Sequence, residues 1–222
     1  MTQFTRRHFV VAAAAATLGA CNTTGSGRAP APALQYRADY GPILDEPFPI
    51  PAVNLNVVPP EFRRQVVRYR TEEVPGTVVV DTNTFHLYLV QQGGTALRYG
   101  VGLGRQGFSW SGDAVIDSKQ EWPRWFPPKE MIAREPHLAK FSEKNGGQPP
   151  GLDNALGSRA LYLYENGVDT LYRLHGTAQE ASIGNAVSSG CVRLLNQDII
   201  HLYDRVAVGA KVVVIPPRGG TA

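Results

Sequence analysis

From Thr77 to Ile215 the apolar residues gather into short β-branched or alternating runs separated by turn residues, a texture that a helical bundle cannot accommodate. Thr77-Val78-Val79-Val80 is β-branched throughout. Phe85 to Val90 alternates, with Phe85, Leu87 and Leu89 on one face and His86 on the other. Gln91-Gln92-Gly93-Gly94 reads as a turn, and Leu97 to Leu103 resumes extended chain. Val115-Ile116, Ala160–Tyr164, Thr170–Leu174 and Lys211–Ile215 read as further strands, and Pro216 and Pro217 end the series. The 23 glycines and 17 prolines of this 222-residue chain suit such a turn-rich fold. One helix is predicted: Asn196 is placed to cap it, Asp198 suits its first turn, and Ile199, Leu202, Tyr203 and Val206 share a face. The expectation is a mainly β domain over 74–216, carrying one or two short helices and a tail at 217–222.

The chain before this domain is of two other kinds. Residues 1–21 pair Arg6 and Arg7 with an apolar stretch from Val11 to Leu18, the pattern of a twin-arginine export signal. That stretch is too short for a membrane span of about 20 residues. It ends Leu18-Gly19-Ala20-Cys21, which resembles a bacterial lipobox and predicts lipidation of Cys21. Residues 22–73, broken by proline from Pro30 to Pro60, read as a tether packing partly on the domain, with Phe62, Val66 and Val67 as apolar points. Export with a lipid anchor predicts a periplasmic, membrane-attached protein. The formal charge of +3 falls to +1 once Arg6 and Arg7 are removed (3 − 2), so no nucleic-acid footprint is present.

Within the domain, Gly102-Leu103-Gly104-Arg105-Gln106-Gly107 satisfies G-x-G-x-x-G. A dinucleotide site needs a helix directly after it, whereas Phe108 to Gly112 is turn-like, so these glycines serve a turn or bulge. Cys191 is the sole thiol left once Cys21 carries lipid, and it cannot close an intramolecular disulfide. It sits in Ser188-Ser189-Gly190-Cys191-Val192-Arg193, small polar surroundings in which a loop can hold a sulfur accessible. A thiol needs a base to act as a nucleophile near neutral pH. His175, ending the Thr170–Leu174 strand sixteen positions upstream (191 − 175), is the candidate. His86, His137 and His201 read as bland, His201 as solvated beside Asp198 and Arg205. No doublet spacing supports a metal, and no cofactor is called for. Trp122-Pro123-Arg124-Trp125-Phe126-Pro127-Pro128 suits either a groove wall or domain-edge packing.

His175-Gly176-Thr177 followed by Ser188-Ser189-Gly190-Cys191-Val192-Arg193 resembles the signature of the L,D-transpeptidase catalytic domain (YkuD-like or ErfK-like). The likeness extends from Val79-Val80-Asp81 to Val214, about residues 77–215. The chain departs from many members by placing Ser189 where they have a second histidine. The resemblance implies a mixed, β-sandwich-like fold. It also implies a Cys191 thiolate attacking the carbonyl between the third and fourth residues of a peptidoglycan stem peptide, with His175 as the base that holds the thiolate as an ion pair and then as the acid that protonates the leaving amine. The Gly176 carbonyl would orient the imidazole, and backbone N–H groups at Gly190 and Cys191 would serve as oxyanion donors. Arg193, Ser188, Ser189, Trp122 and Trp125 are the candidate substrate contacts. The thioester would pass to an amine of another stem peptide or of an outer-membrane protein or lipoprotein. Two alternatives stay open: a trimming L,D-carboxypeptidase in which water is the acceptor, and a non-catalytic, lipid-anchored wall-binding protein.

Overall fold

The computed structural model describes residues 39–104, 111–188 and 190–218. The export signal, Cys21 and the first part of the expected tether lie outside them, as does Ser189. In chain order the strands are β1 (Gln65–Arg68), β2 (Val78–Asp81), β3 (His86–Gln91), β4 (Thr95–Gly100), β5 (Leu103–Gly104), β6 (Gly112–Glu121), β7 (Arg159–Glu165), β8 (Val168–Thr177), β9 (Ala186–Ser188), β10 (Val192–Leu195) and β11 (Lys211–Ile215). Helix α1 (Lys129–Arg134) follows β6, and α2 (Asn196–Tyr203) follows β10. The protein is mainly β, as the sequence leads one to expect.

Strands β1-β4-β3-β2-β11-β6-β7-β8-β10 form one mixed sheet in that order. Local chemistry sets its tight turns. Asn166 and Gly167, both at positive φ (50° and 78°), close the β7–β8 hairpin as a two-residue turn matched to strand twist. Gly93 and Gly94 (φ 72° and 68°) supply the positive-φ positions of the three-residue turn, 92–94, between β3 and β4. The sheet then bends back on itself. Chain leaving β4 reaches β10, the far edge strand, where Gly102 and Arg193 exchange both backbone hydrogen bonds at 2.9 Å. Gly102 is required there, because a Cβ would stand 2.5 Å from the Ser182 carbonyl oxygen. The G-x-G motif is thus spent on close approach and on an irregularity between Leu103 and Gly104, and the next element among the described residues is β6.

The folded-over sheet encloses one core, with Leu87, Tyr99, Ile116, Leu161, Leu163, Leu174 and Leu194 fully buried. Helix α2 adds Ile199 and Leu202, both at 0% exposure, each burial contributing about 1.5–3 kcal/mol. Two details of α2 differ from the sequence reading. Asn196 does not cap it: its Oδ1 instead accepts the Ser158 N–H at 3.0 Å. His201 is half-buried rather than fully solvated: its Nδ1 meets the Tyr99 hydroxyl at 2.8 Å, and burial lowers its pKa to about 3.

The expected tether over 22–73 also needs correcting: from residue 39 onward it is part of the fold. β1 extends the sheet beside β4; Tyr40, Val53 and Val58 are buried against Ile183 and Leu195, and Ile50 is buried as well. Two buried ionic contacts fasten this strap. Arg64 pairs with the fully buried Asp198 at 3.2 Å, where the Tyr40 hydroxyl also donates. Glu46 receives Arg159 at 2.6 Å and the Trp122 Nε1–H at 2.6 Å. Among the described residues no helix is long and apolar enough to cross a membrane.

Candidate active site

Parallel pairing of β8 with β10 builds the site. Arg193 lies opposite His175 and Val192 opposite Leu174, with Val192 and Leu174 buried in the core. Because strand side chains alternate faces, the odd-numbered residues Arg173, His175 and Arg193 face away from that core. Cys191, just before β10, continues the pattern. All four line one cavity of about 910 Å³, roofed by the segment from Arg124 through α1 to Phe141. Trp125, Phe126, Met131 and Phe141 give that roof an apolar, aromatic surface facing the basic floor.

His175 is 3% exposed, and its Nδ1 lies 2.8 Å from the Gly176 carbonyl oxygen. That bond keeps the hydrogen on Nδ1 and leaves the lone pair on Nε2. Gly176 has no room for a side chain, since a Cβ would come within 2.3 Å of Asn196 Oδ1. Asn196 therefore supports the β7 entrance and the His175 carbonyl partner together, which is why its side chain is turned inward. Desolvation, opposed by the Gly176 bond and aided by the Arg193 and Arg173 charges, depresses the His175 pKa to about 4.

The Cys191 thiol is likewise withdrawn from water, and burial pushes its pKa up against the pull of the Arg173 N–H and the Arg173 and Arg193 charges. Its S–H points to the Leu171 carbonyl at 3.9 Å. Burial thus favours the neutral thiol and the neutral imidazole over the ion pair that the resemblance implies. Gly190 holds φ 138°, a conformation suited to glycine, with Tyr172 packed beside it. Arg193 donates to the Gln179 side chain at 2.9 Å.

Of the two tryptophans expected at the substrate, only Trp125 lines the cavity. Trp122 is 7% exposed, at φ 43°, held by Glu46 and packed on Phe48 at 4.8 Å, so its role is to root the roof segment. Ser188 ends β9, where its backbone lies opposite Gly104. Sequence reasoning missed Arg173, Asp169 and Leu171, which surround the thiol. Strand alternation counted back from His175 could have placed Arg173 on the same face.

A family model of the L,D-transpeptidase catalytic domain matches residues 75–214. Probable L,D-transpeptidase YbiS of Escherichia coli (strain K12) is 33% identical over 143 residues, covering 62% of this chain and 44% of its own length. Probable L,D-transpeptidase YcfS of the same organism is 34% identical over 146 residues, covering 62% and 43% respectively. The chain thus spans less than half the length of these curated relatives. A crystal structure from Brucella melitensis, described as a probable carnitine operon oxidoreductase, is 47% identical, covering 73% of this chain and 99% of its own, with a TM-score of 0.49.

Proposed function

Because the chain belongs to the L,D-transpeptidase catalytic-domain family, we propose that it transfers an acyl group between peptidoglycan stem peptides through a Cys191 thioester. The carrying observation is that His175 on β8 and Cys191, just before the neighbouring parallel strand β10, line one cavity together with Arg173, Arg193 and the aromatic residues Trp125, Phe126 and Phe141. In the first half-reaction Cys191 Sγ bonds to the carbonyl carbon between the third and fourth stem residues. Its proton passes to His175 Nε2, and N–H groups at Gly190 and Cys191 receive the oxyanion. The C–N bond then breaks, and the imidazolium returns the proton to the departing terminal D-amino acid. In the second half an acceptor amine attacks the thioester, gives a proton to Nε2, and restores the thiol. The Gly176 carbonyl keeps the imidazole in the tautomer this shuttle needs.

The resting neutral pair makes His175 a general base acting as Sγ attacks, rather than the partner of a standing thiolate. The basic floor, with Arg193 on the His175 face, favours a substrate bearing carboxylates, as stem peptides do. The same reading places the enzyme in the periplasm on a lipid carried by Cys21. The acceptor is taken to be a second stem peptide, since no partner protein need then be supplied. The test is incubation of the exported domain with purified tetrapeptide muropeptides, followed by mass spectrometry. Cross-linked dimers that have lost one D-alanine support the proposal. Tripeptides alone convert it to a hydrolase, and turnover only with an added membrane protein converts it to an attachment enzyme. No adduct and no turnover would leave a wall-binding protein.

A further inference from the structure

The β7–β8 hairpin is regular at its turn and again at His175, but not between. Tyr164 pairs with Asp169 and Tyr162 with Arg173, so Leu163 alone opposes Thr170, Leu171 and Tyr172. The excess chain bulges outward. Leu171, at its crest, sits at φ 64° and is 64% exposed, a conformation and an exposure both unfavourable for leucine. Strain of this kind costs on the order of 1–3 kcal/mol and persists only where neighbours over-determine it. The neighbours are identifiable. Thr170 Oγ1 donates to the Leu163 carbonyl at 2.7 Å and accepts the Tyr172 N–H at 3.2 Å. Asp169 does more: Oδ1 accepts the Leu171 N–H at 2.8 Å, while both oxygens take the Arg173 guanidinium at 2.7 and 2.8 Å. Arg173 in turn lies over the Tyr162 ring at 4.4 Å and donates to the Tyr172 carbonyl at 2.9 Å.

The product of this arrangement is the Leu171 carbonyl, aimed at Cys191 Sγ from 3.9 Å. We propose that Asp169 is a positioning residue for the nucleophile: one carboxylate fixes both the strained bulge and Arg173, and so sets where the resting thiol points. The proposal rests on Cys191 being the nucleophile. Three consequences follow for the thiol, and all have one sign. The Leu171 carbonyl stabilises the protonated thiol by accepting its hydrogen. Asp169 places a negative charge near the sulfur. By pairing with Arg173, Asp169 also offsets the positive charge that would favour thiolate. The other charge acting on the sulfur is Arg193 from β10, and the remaining charged or titratable groups lining the cavity are His175, Arg124, Glu135, Asp153, Tyr162 and Tyr172. None of them contacts Asp169 through the bonds described above. Loss of Asp169 should therefore make the thiol more acidic and yet worse aimed.

The experiment measures two quantities on the full chain: the pH midpoint of Cys191 alkylation by iodoacetamide, and kcat and KM on tetrapeptide muropeptides. Asp169→Ala removes every bond. Asp169→Asn keeps an acceptor for Leu171 but removes the charge, and it serves if the alanine variant does not fold. Expected are an alkylation midpoint lowered by about one pH unit in Asp169→Ala, less in Asp169→Asn, and kcat reduced roughly 10- to 100-fold with KM little changed. A residue with only a structural role would lower thermal stability and turnover but leave the midpoint where it was. That result, a midpoint moved upward, or unchanged kcat would overturn the proposal. The alkylation arm needs no substrate. Cys191→Ser in the turnover arm separately tests the nucleophile, so failure of the two readings can be told apart.

Discussion

Protonating His175 should destabilise the fold by an amount its burial fixes. The ring is 3% exposed with a pKa of about 4, against about 6.5 in an unfolded chain. Between those values the unfolded chain binds a proton that the folded one refuses, so stability rises with pH there and falls as pH drops through 6.5 toward 4. At roughly 1.4 kcal/mol per unit, the full gap is about 3 kcal/mol, and about 2 kcal/mol of it is lost by pH 5. Asp198 complicates the raw curve. Burial raises its pKa to about 7 despite Arg64, so it takes up a proton on folding over the same range and pulls the slope the other way. His201, with its pKa near 3, adds to the His175 trend. Both effects cancel in a difference. Urea unfolding of the wild type and of His175→Asn at pH 5, 6 and 7 should therefore show the wild type losing about 2 kcal/mol more than the variant toward pH 5. The same group predicts activity: the acid limb of kcat/KM should stay flat to about pH 5, because the free base titrates near 4. Parallel stability curves, or an acid limb centred near 6.5, would refute a desolvated imidazole.

Three further outcomes test the site and its supports. His175→Ala should retain its fold but lose roughly 10²–10⁴-fold in turnover, with His137→Ala near wild type, measured on muropeptides. A carbapenem should add once to the wild-type chain and not to Cys191→Ala, read by intact mass. Asp198→Ala leaves the Arg64 guanidinium buried without its carboxylate, which should cost about 3–5 kcal/mol in urea unfolding, whereas the exposed Glu135, facing His137 at 3.9 Å, should change stability by under about 0.5 kcal/mol when replaced by Ala.

The legible parts of this protein are those whose signal is local. Strand alternation placed Leu87 and Leu89 in the core, the i, i+3 spacing placed Ile199 and Leu202 there, and the failure of a helix to follow Gly107 disposed of a nucleotide site. His175 and Cys191 were legible for a different reason: each carries chemistry that its neighbours do not compete for. Their juxtaposition needs only that β8 and β10 lie side by side, with Arg193 opposite His175.

What stayed hidden depends on partners more than a hundred residues away or on backbone that no propensity marks. Asp198 looks like a residue for the first turn of a helix, and its burial follows only from Arg64 and Tyr40 reaching it from the N-terminal strap. The prolines from Pro42 to Pro60 suggest a spacer, yet proline merely forbids strand and helix. It does not forbid packing, and Ile50 at 2% exposure and Val58 at 0% pack nonetheless. Trp122 and Trp125, three residues apart, divide between a buried anchor and a cavity wall because Glu46 captures one of them. The bulge is the extreme case. Thr170-Leu171-Tyr172 has ordinary strand composition, and only the pairing with Leu163 shows that two of its residues are surplus. A strand that could have run straight is held bent by one carboxylate, at the point where its carbonyl meets the thiol. The local sequence therefore favours the wrong backbone at Leu171, and a site that needs that backbone must supply the restraint from a side chain, which Asp169 does.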